Sequence, residues 1–164
     1  MNRVKQAIAQ WQREMPQLDL LPMEVVGYMK TTQQLTQARL QIFFKEYGLQ
    51  TGEFDVLATL RRSGAPYRLG PTQLFEALMV SSGGMTSRLD RLEKAGWIER
   101  SPNPEDRRGT LVSLTDEGLE LMNRMLPRHV ENEAKMLAAL SREEQATLGE
   151  LLGKLLESLA SDDA

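Results

Sequence analysis

Apolar residues recur at helical spacing along most of the chain, separated by short stretches rich in proline, glycine and serine. The spacing predicts an amphipathic helix over about residues 3–15, which ends before Pro16. A second helix begins with Pro22 in its first turn and runs to Tyr47, where Gly48 stops it. The N-terminal third is therefore predicted to be helical.

Shorter elements follow in the middle of the chain. The stretch "GEFDVLATLRRSG" predicts a helix capped by Thr51, with Glu53 and Asp55 at the positive end of its dipole. "YRLG" is a very short strand candidate, and "PTQLFEALM" predicts a short helix. After a short break, "SSGGMTSRLDRLEKAG" predicts another helix that ends at Gly96. Two short helices joined this closely indicate a helix-turn-helix.

A β-hairpin and two further helices complete the pattern. "WIERS" and "LVSL" are apolar runs of strand length, joined by a loop rich in proline, arginine and glycine. Thr115 caps a long helix that we expect to be kinked at Pro127, and Ser141 with Glu144 forms a capping box for the last helix. The order of elements predicts a mainly α fold with a small β-hairpin wing.

The predicted organisation is a winged helix-turn-helix at residues 51–114, flanked by helical regions at residues 1–50 and 115–164. The last helix carries a leucine stripe that is broader than a small domain easily covers alone. The stripe is formed by Leu148, Leu152, Leu155, Leu156 and Leu159. It can pack against the chain's own first helix or against a second copy. We favour the second copy, because a leucine face of this size left in water is an interaction site.

Composition excludes several classes of protein. The 164 residues fit one domain, contain no cysteine, and include no run of about 18 uncharged apolar residues that would cross a membrane. The N-terminus lacks the apolar stretch of a signal peptide, so we expect a cytoplasmic protein. The only histidine, His129, has no catalytic cysteine or serine motif around it, and P-loop, GxGxxG and metal-ligand patterns are lacking. We therefore expect no enzyme activity, no cofactor and no bound metal.

The net charge of −3 would argue against a nucleic-acid partner, but the charge is unevenly spread. Eleven of the 23 acidic side chains lie in residues 114–164. Attraction to phosphates depends on the local field rather than on the total charge, so the middle third of the chain can still present a basic surface.

The second helix of the predicted helix-turn-helix has a polar face that suits DNA. With about 100° of rotation per residue, Met85, Leu89 and Leu92 form one buried stripe. The opposite side carries hydroxyls and cations that can reach base edges or phosphates. The residues of this helix predicted to bind DNA are Ser82, Thr86, Ser87 and Arg91.

Other positions of the same helix have different predicted roles. Gly83 and Gly84 fall in its first turn, where they allow the backbone to approach DNA closely. Arg88 lies on a shoulder of the helix and leans back towards the core, which suits a pocket under the helix better than a base. A plain solvated face is the alternative, but the position between a short helix and a hairpin favours DNA.

The hairpin tip carries two adjacent arginines. Arg107 and Arg108 can enter a minor groove, whose negative potential favours guanidinium groups, and Asp106 can pair with a neighbouring arginine to fix the loop. A solvated charge cluster is one alternative. A winged helix that binds protein is another, although it would need an apolar recognition face instead of Ser, Thr, Lys and Arg.

The stretches "SRLDRLEKAGWIER" and "DRRGTLVSLTDEG" closely resemble the MarR family of winged-helix transcriptional regulators. The resemblance runs from about residue 23 to the C-terminus and includes the D-x-R signature of the wing, Asp106 and Arg108. It implies a homodimer built from the terminal helices and bound to a pseudo-palindromic, double-stranded DNA operator. It also implies a repressor that small phenolic or anionic ligands release. Two-fold symmetry would place the recognition helices roughly 34 Å apart.

Three further stretches, "QWQREMPQLDLLPMEVVGYM", "GEFDVLATLRRSGAPYRLGP" and "VSSGGMTSRLDRLEKAG", resemble a subgroup of this family with an extra N-terminal helix, which includes urate-responsive regulators. The resemblance implies a ligand pocket of Trp11, Asp55, Arg88 and Arg100. Two guanidinium groups and an indole suit a planar anion such as urate or a related purine. Asp55 would act as a switch that pairs with Arg88 or Arg100 until the anion competes for the arginine.

Two alternatives stay open for this pocket. Asp55, Arg88 and Arg100 can form a structural ion-pair set, with Trp11 in the core. The ligand can also be a different small anion, such as a phenolate or a carboxylate.

Overall fold

The computed structural model describes residues 2–50, 52–78, 84–104 and 109–161. Within these ranges the chain forms seven helices and three short strands. The helices are α1 (Arg3–Glu14), α2 (Leu21–Glu46), α3 (Glu53–Arg62), α4 (Pro71–Ala77), α5 (Met85–Lys94), α6 (Asp116–Met136) and α7 (Arg142–Ser161). The strands are β1 (Arg68–Leu69), β2 (Ile98–Pro102) and β3 (Thr110–Leu114). The predicted mainly α fold with a small hairpin is confirmed.

The three strands form one antiparallel sheet in the order β1-β3-β2. β2 and β3 are the predicted hairpin, in which Ile98 lies opposite Leu114. β1 pairs with the other edge of β3, where Arg68 lies opposite Ser113. The short first strand was predicted from the sequence, and the structure adds its partner. The wing is thus anchored to the segment that enters the helix-turn-helix.

Helix ends follow the predicted signals in three places. Gly48, after α2, has a φ of +72°, a left-handed conformation that glycine adopts without strain. Thr115 caps α6, because its hydroxyl accepts the Gly118 N–H at 3.0 Å. Ser141 and Glu144 exchange the two hydrogen bonds of a capping box before α7.

Two other end signals were wrong. The residue at the N-cap of α3 is Gly52, with a φ of +82°, and not Thr51, which lies outside the described residues. Gly84 precedes α5 as its N-cap, with a φ of +76°, and is not part of the first turn, while Gly83 is also outside the described residues. Pro127 lies inside α6, which continues on both sides of it.

One hydrophobic core joins the C-terminal half of α2, helices α3 to α6 and the sheet. Its fully buried members include Leu57, Leu60, Leu74, Leu92, Ile98, Val112, Met122 and Met125. Gly118 in the first turn of α6 has no space for a side chain, since an added Cβ would lie 2.0 Å from the Trp97 carbonyl oxygen. The start of α6 therefore packs directly on the residue that connects α5 to β2.

The terminal helices keep their apolar faces at the surface of the single chain. Neither α1 nor α7 contains a buried residue. α1 packs along α2, where Val4 lies against Gly27 and the Asn2 amide donates to the Tyr28 hydroxyl. The leucine stripe of α7 is 36–68% exposed, so α1 does not cover it. None of the described helices combines the length and apolarity that crossing a membrane requires.

Candidate DNA-binding surface and effector site

α5 is the second helix of the helix-turn-helix, and it presents the predicted polar face. Met85, Leu89 and Leu92 are buried in the core, which confirms the predicted stripe. The exposed side chains of this helix include Thr86, Ser87, Arg91 and Lys94. Ser82, which was also predicted to bind DNA, lies outside the described residues.

Arg91 is at the surface, but its guanidinium is held by the protein. Its Nε donates to Glu53 Oε1 at 2.7 Å, and its Nη1 donates to the side-chain oxygen of Gln50. Glu53 is the first residue of α3, and its side chain is only 4% exposed. The Arg91 side chain is 43% exposed, so it faces solvent while being anchored to the junction of α2 and α3. Its contact with DNA stays a prediction.

The base of the wing is attached to α5 by a second set of ion pairs. Arg100 on β2 donates from Nε to Glu93 Oε2 at 2.9 Å and from Nη2 to Asp90 Oδ1 at 2.7 Å. The hydrogen bond from the Arg100 side chain lowers the pKa of Glu93, and the two carboxylates raise the pKa of Arg100. These contacts link β2 to α5 at the protein surface.

Towards the far end of the wing, the Asn103 N–H donates to the Gly109 carbonyl at 2.9 Å. The tip residues Asp106, Arg107 and Arg108 lie outside the described residues. Their roles in groove binding and in fixing the loop therefore stay predictions.

Arg88 leans towards the core, as its position on the helix predicts. The residue is half-buried, and its guanidinium lies against Gly52. A Cβ added to Gly52 would lie 2.7 Å from both Cζ and Nε of Arg88. The glycine at this position therefore lets Arg88 reach the turn that begins α3.

The positive charge of Arg88 acts on the Asp55 carboxyl, so two of the four predicted ligand residues lie in the same region of the structure. Burial raises the pKa of the Asp55 carboxyl, and the nearby Arg88 and His129 oppose that shift. A half-buried carboxylate whose charge is only partly compensated responds strongly to any charged group that arrives beside it.

The other two predicted ligand residues lie elsewhere in the single chain. Arg100 pairs with the carboxylates of α5 and not with Asp55, because β2 carries it along that edge of the helix. The pairing of Asp55 with Arg88 stays a prediction. Trp11 is 47% exposed on α1, so the alternative that placed it in the core is wrong.

His129 lies in an aromatic cluster next to Asp55. The centroid of its ring is 4.4 Å from that of Phe54 and 5.7 Å from those of Phe43 and Phe44. The cluster joins α2, α3 and α6.

A cavity of about 590 Å³ opens between α2 and α6. The residues lining it include Arg39, Phe43, Tyr47, Arg128 and Asn132. The Nδ2 atom of Asn132 is buried and has no hydrogen-bond partner within the described ranges. Glu46, Glu131 and Lys135 also line it, so the cavity presents charges of both signs beside aromatic rings. No local sequence pattern predicts this cavity, since its walls are far apart along the chain.

Known proteins match this chain in sequence. A model of the MarR family matches residues 49–110. The multiple antibiotic resistance protein MarR of Salmonella typhimurium is 33% identical over 139 residues, which cover 84% of this chain and 93% of that protein. The chain belongs to the MarR family. The HTH-type transcriptional regulator PecS of Dickeya dadantii is 45% identical over 159 residues, 97% of this chain and 96% of that regulator.

Solved structures of MarR-family regulators share the fold in a DNA-bound state. A MarR variant from E. coli complexed with operator DNA has a TM-score of 0.70 and 28% identity, covering 89% of this chain and 97% of that one. Sco3205 from Streptomyces coelicolor, in complex with DNA, has a TM-score of 0.77 and 28% identity, covering 87% and 89%. This MarR-family chain is a DNA-binding transcriptional regulator and not an enzyme.

Sequence reasoning about this MarR-family chain missed the groups that hold its arginines. The sequence pattern predicts Glu53 only as an acidic residue in a first helical turn, and it does not indicate any role for Gln50. Both meet Arg91 across about 40 residues of sequence. Local spacing carries no signal for such a contact, because it depends on how α5 packs on α3.

Proposed function

We propose that this chain is a homodimeric repressor that binds a pseudo-palindromic operator and is released by a small anionic aromatic ligand, urate or a related purine. The observation that carries the proposal is the arrangement around α5: an exposed polar face on one side, and half-buried Arg88 beside Asp55 beneath it. One helix is thereby available to DNA and to an effector at once.

Residues 51–114 would form the DNA-binding region. Thr86 and Ser87, exposed at the start of α5, are short enough to meet base edges, and Arg91 reaches further. The arginines of the wing tip would enter the adjacent minor groove. The DNA complexes of related MarR-family proteins support this assignment. A protein-binding winged helix is disfavoured, because the exposed face of α5 carries hydroxyls and cations.

Residues 1–50 and 115–164 would form the dimerisation region. The leucine stripe of α7 is exposed, and so are several apolar side chains near the start of α2. The latter are Leu21, Met23, Val25 and Val26. A second copy of the chain, related by a two-fold axis, can bury both sets of side chains. The same axis would set the two recognition helices roughly 34 Å apart, one turn of DNA.

Arg88 and Asp55 would form the centre of the effector site, completed by Trp11 and Arg100. An anion that binds the Arg88 guanidinium competes with Asp55 and repels a carboxylate whose pKa burial already raises. Arg88 is seated against Gly52, so its displacement would shift α5 on α3. Arg100 would join the site by leaving the exposed carboxylates of Glu93 and Asp90. Breaking such exposed ion pairs costs little folding stability.

A phenolate or carboxylate is the second candidate effector, and the cavity between α2 and α6 favours it. Its lining includes Arg39 and Arg128 together with Phe43 and Tyr47, and an anion would bind there once the lining carboxylates of Glu46 and Glu131 pair with cations. The arginines and aromatic rings of this cavity would bind a small aromatic acid, whereas the Arg88 site would bind a purine.

The DNA half of the proposal is tested by salt-dependent retention on a random duplex. Cationic contacts with phosphates release counterions, so affinity should fall steeply between roughly 50 and 200 mM salt. Retention that does not change with salt would exclude this mode of binding. Sedimentation of the free protein then tests the dimer.

The effector half is tested by the melting temperature in the presence of urate, other purines, phenolates and small carboxylates. A ligand that binds the native state raises the melting temperature in proportion to RT ln(1 + [L]/Kd). A urate shift that Arg88→Ala abolishes and Arg128→Ala preserves supports the site beneath α5. The reverse pattern assigns the effector to the cavity, and the absence of a shift with every purine rejects the purine assignment.

A further inference from the structure

Two arginines of the recognition helix hold the same turn, residues 50–53. Arg88 lies against Gly52, and Arg91 binds Glu53. This turn links α2 to α3, so the DNA-facing helix is attached to the junction at two successive points. The contact of Arg91 is with a carboxylate, which fixes the direction of the bond.

Both oxygens of the Glu53 carboxylate are occupied. Oε1 accepts from Arg91 Nε at 2.7 Å, and Oε2 accepts the backbone N–H of Gln50. The backbone N–H of Glu53 donates in turn to the Gln50 carbonyl at 3.1 Å. With 4% of its side chain exposed, this carboxylate cannot rotate without leaving a buried charge short of a partner. The Glu53 carboxylate is therefore held in one orientation.

The Glu53 carboxylate, together with Gln50, determines the orientation of the Arg91 guanidinium. Nε is bound by Glu53, and Nη1 is bound by Gln50. Two bonds to a planar group define its plane, which a single bond would not do. Nη2 has no hydrogen-bond partner in the part of the chain that the structure describes, and the side chain remains 43% exposed. Arg91 thus offers its free nitrogen in one direction.

We propose that Glu53 is a positioning residue for sequence discrimination: it holds Arg91 so that Nη2 meets one arrangement of acceptors in the DNA groove. This rests on the proposed role of Arg91 in DNA binding. A guanidinium released from Glu53 can turn to phosphates, which carry no sequence information. Glu53 therefore favours discrimination between sequences over total affinity.

The test compares the wild type with Glu53→Gln, which keeps the size of the side chain and removes its charge. The probes are a duplex selected in vitro by the wild-type protein and a scrambled duplex of the same composition, both measured by fluorescence anisotropy at one salt concentration. The ratio of the two affinities is expected to fall about tenfold, the size of one lost base contact. A merely structural loss lowers both affinities together and leaves the ratio unchanged.

Two controls separate positioning from charge. Glu76→Gln on the exposed face of α4 makes the same charge change within the DNA-binding region, and its ratio should stay within about twofold of the wild type. Adding Glu53→Gln to Arg91→Ala should not lower the ratio further, because the group to be positioned is gone. A Glu53→Gln ratio within twofold of the wild type, or an equal fall in Glu76→Gln, would overturn the proposal.

The outcome also distinguishes the DNA contact of Arg91 from the positioning role of Glu53. If Arg91→Ala discriminates as well as the wild type, the proposed DNA contact of Arg91 fails. If Arg91→Ala loses discrimination and Glu53→Gln keeps it, only the positioning role fails. Should Glu53→Gln not fold, Gln50→Ala removes the Nη1 contact alone and should lower the ratio about threefold. An unchanged ratio in Gln50→Ala would then reject the proposal.

Discussion

The two flanks of α5 are held by arginine–carboxylate pairs that differ in burial. On the α3 flank, Arg91 meets Glu53, whose side chain is 4% exposed. On the wing flank, Arg100 meets Glu93 and Asp90, which are 37% and 55% exposed. Removing one partner of a buried pair leaves an uncompensated charge, whereas water and salt screen the exposed pairs. The α3 flank is therefore the rigid attachment of the helix, and the wing flank is the adjustable one.

Two carboxyl groups near these flanks show the same difference in their pKa values. Burial raises the pKa of Asp55, whereas the hydrogen bond from Arg100 lowers the pKa of Glu93. Asp55 is thus held in a site that disfavours its charge, and Glu93 in one that favours it. Sites that disfavour a charge respond to ligands, since small electrostatic changes there shift an equilibrium.

Arg91→Ala should have the largest effect on the stability of the folded chain. It leaves the Glu53 carboxylate buried with only the Gln50 N–H, which should cost about 2 kcal/mol. This is less than the roughly 3–5 kcal/mol of a fully buried pair, because Arg91 itself is partly exposed. Urea unfolding at pH 7 measures the loss. Combining it with Glu53→Gln should recover part of the stability. If Arg91→Ala lowers the free energy of unfolding no more than Arg100→Ala does, the α3 flank is not the more rigid attachment of α5.

Gly52→Ala should come next. A residue with a side chain at a φ of +82° costs about 1–2 kcal/mol, and the added Cβ would also displace the Arg88 guanidinium. Gly64→Ala is a matched control, because Gly64 has the same φ and nothing lies within 4 Å of an added Cβ. The excess loss in Gly52→Ala, measured by thermal unfolding, isolates the Arg88 contact. Equal losses in the two variants would show that this contact adds nothing.

Arg100→Ala should have a smaller effect, and that effect should depend on pH. The folded-state pKa of Glu93 is lowered, so its contribution is present above the unfolded value of 4.5 and is lost as the pH falls through the lowered value. The difference between the wild type and Arg100→Ala should therefore shrink in acid. Urea unfolding at pH 7 and in the acid range measures it. A difference that grows in acid contradicts the assigned pairing.

Asp55→Asn should have the smallest effect on stability and the opposite sign. The folded-state pKa of Asp55 is raised, so its contribution is greatest below the unfolded value of 3.8 and is lost as the pH rises through the folded value. At pH 7 the asparagine variant should be at least as stable as the wild type, while its melting temperature should no longer respond to urate in the same way. A strong destabilisation would mark Asp55 as a structural group.

Local patterns were sufficient to predict the elements and one side-chain orientation. The stripe of Met85, Leu89 and Leu92 and the inward lean of Arg88 both follow from helical periodicity, which packing does not override here. The caps at Thr115 and Ser141 follow from hydrogen bonds within a few residues. Such features are set by the nearest turns of the chain.

Features that depend on packing between elements were not predicted. Arg91 looked free because its helical angle points outward, but α3 places Glu53 within its reach. The pairing of Arg100 with the carboxylates of α5 depends on the register of β2, and its role in the ligand site stays a prediction. The N-cap of α3 moved to Gly52 because the turn there needs a positive φ.

The missing side chain at Gly118 links the long helix α6 to the residue that follows α5. With the α6 backbone seated on the Trp97 carbonyl, a tilt of α6 carries the end of α5 with it, since there is no compressible layer between them. In a symmetric pair of chains, a small pivot of the long helices would be mirrored by the second copy. The separation of the two α5 helices would then change by twice the movement of either one.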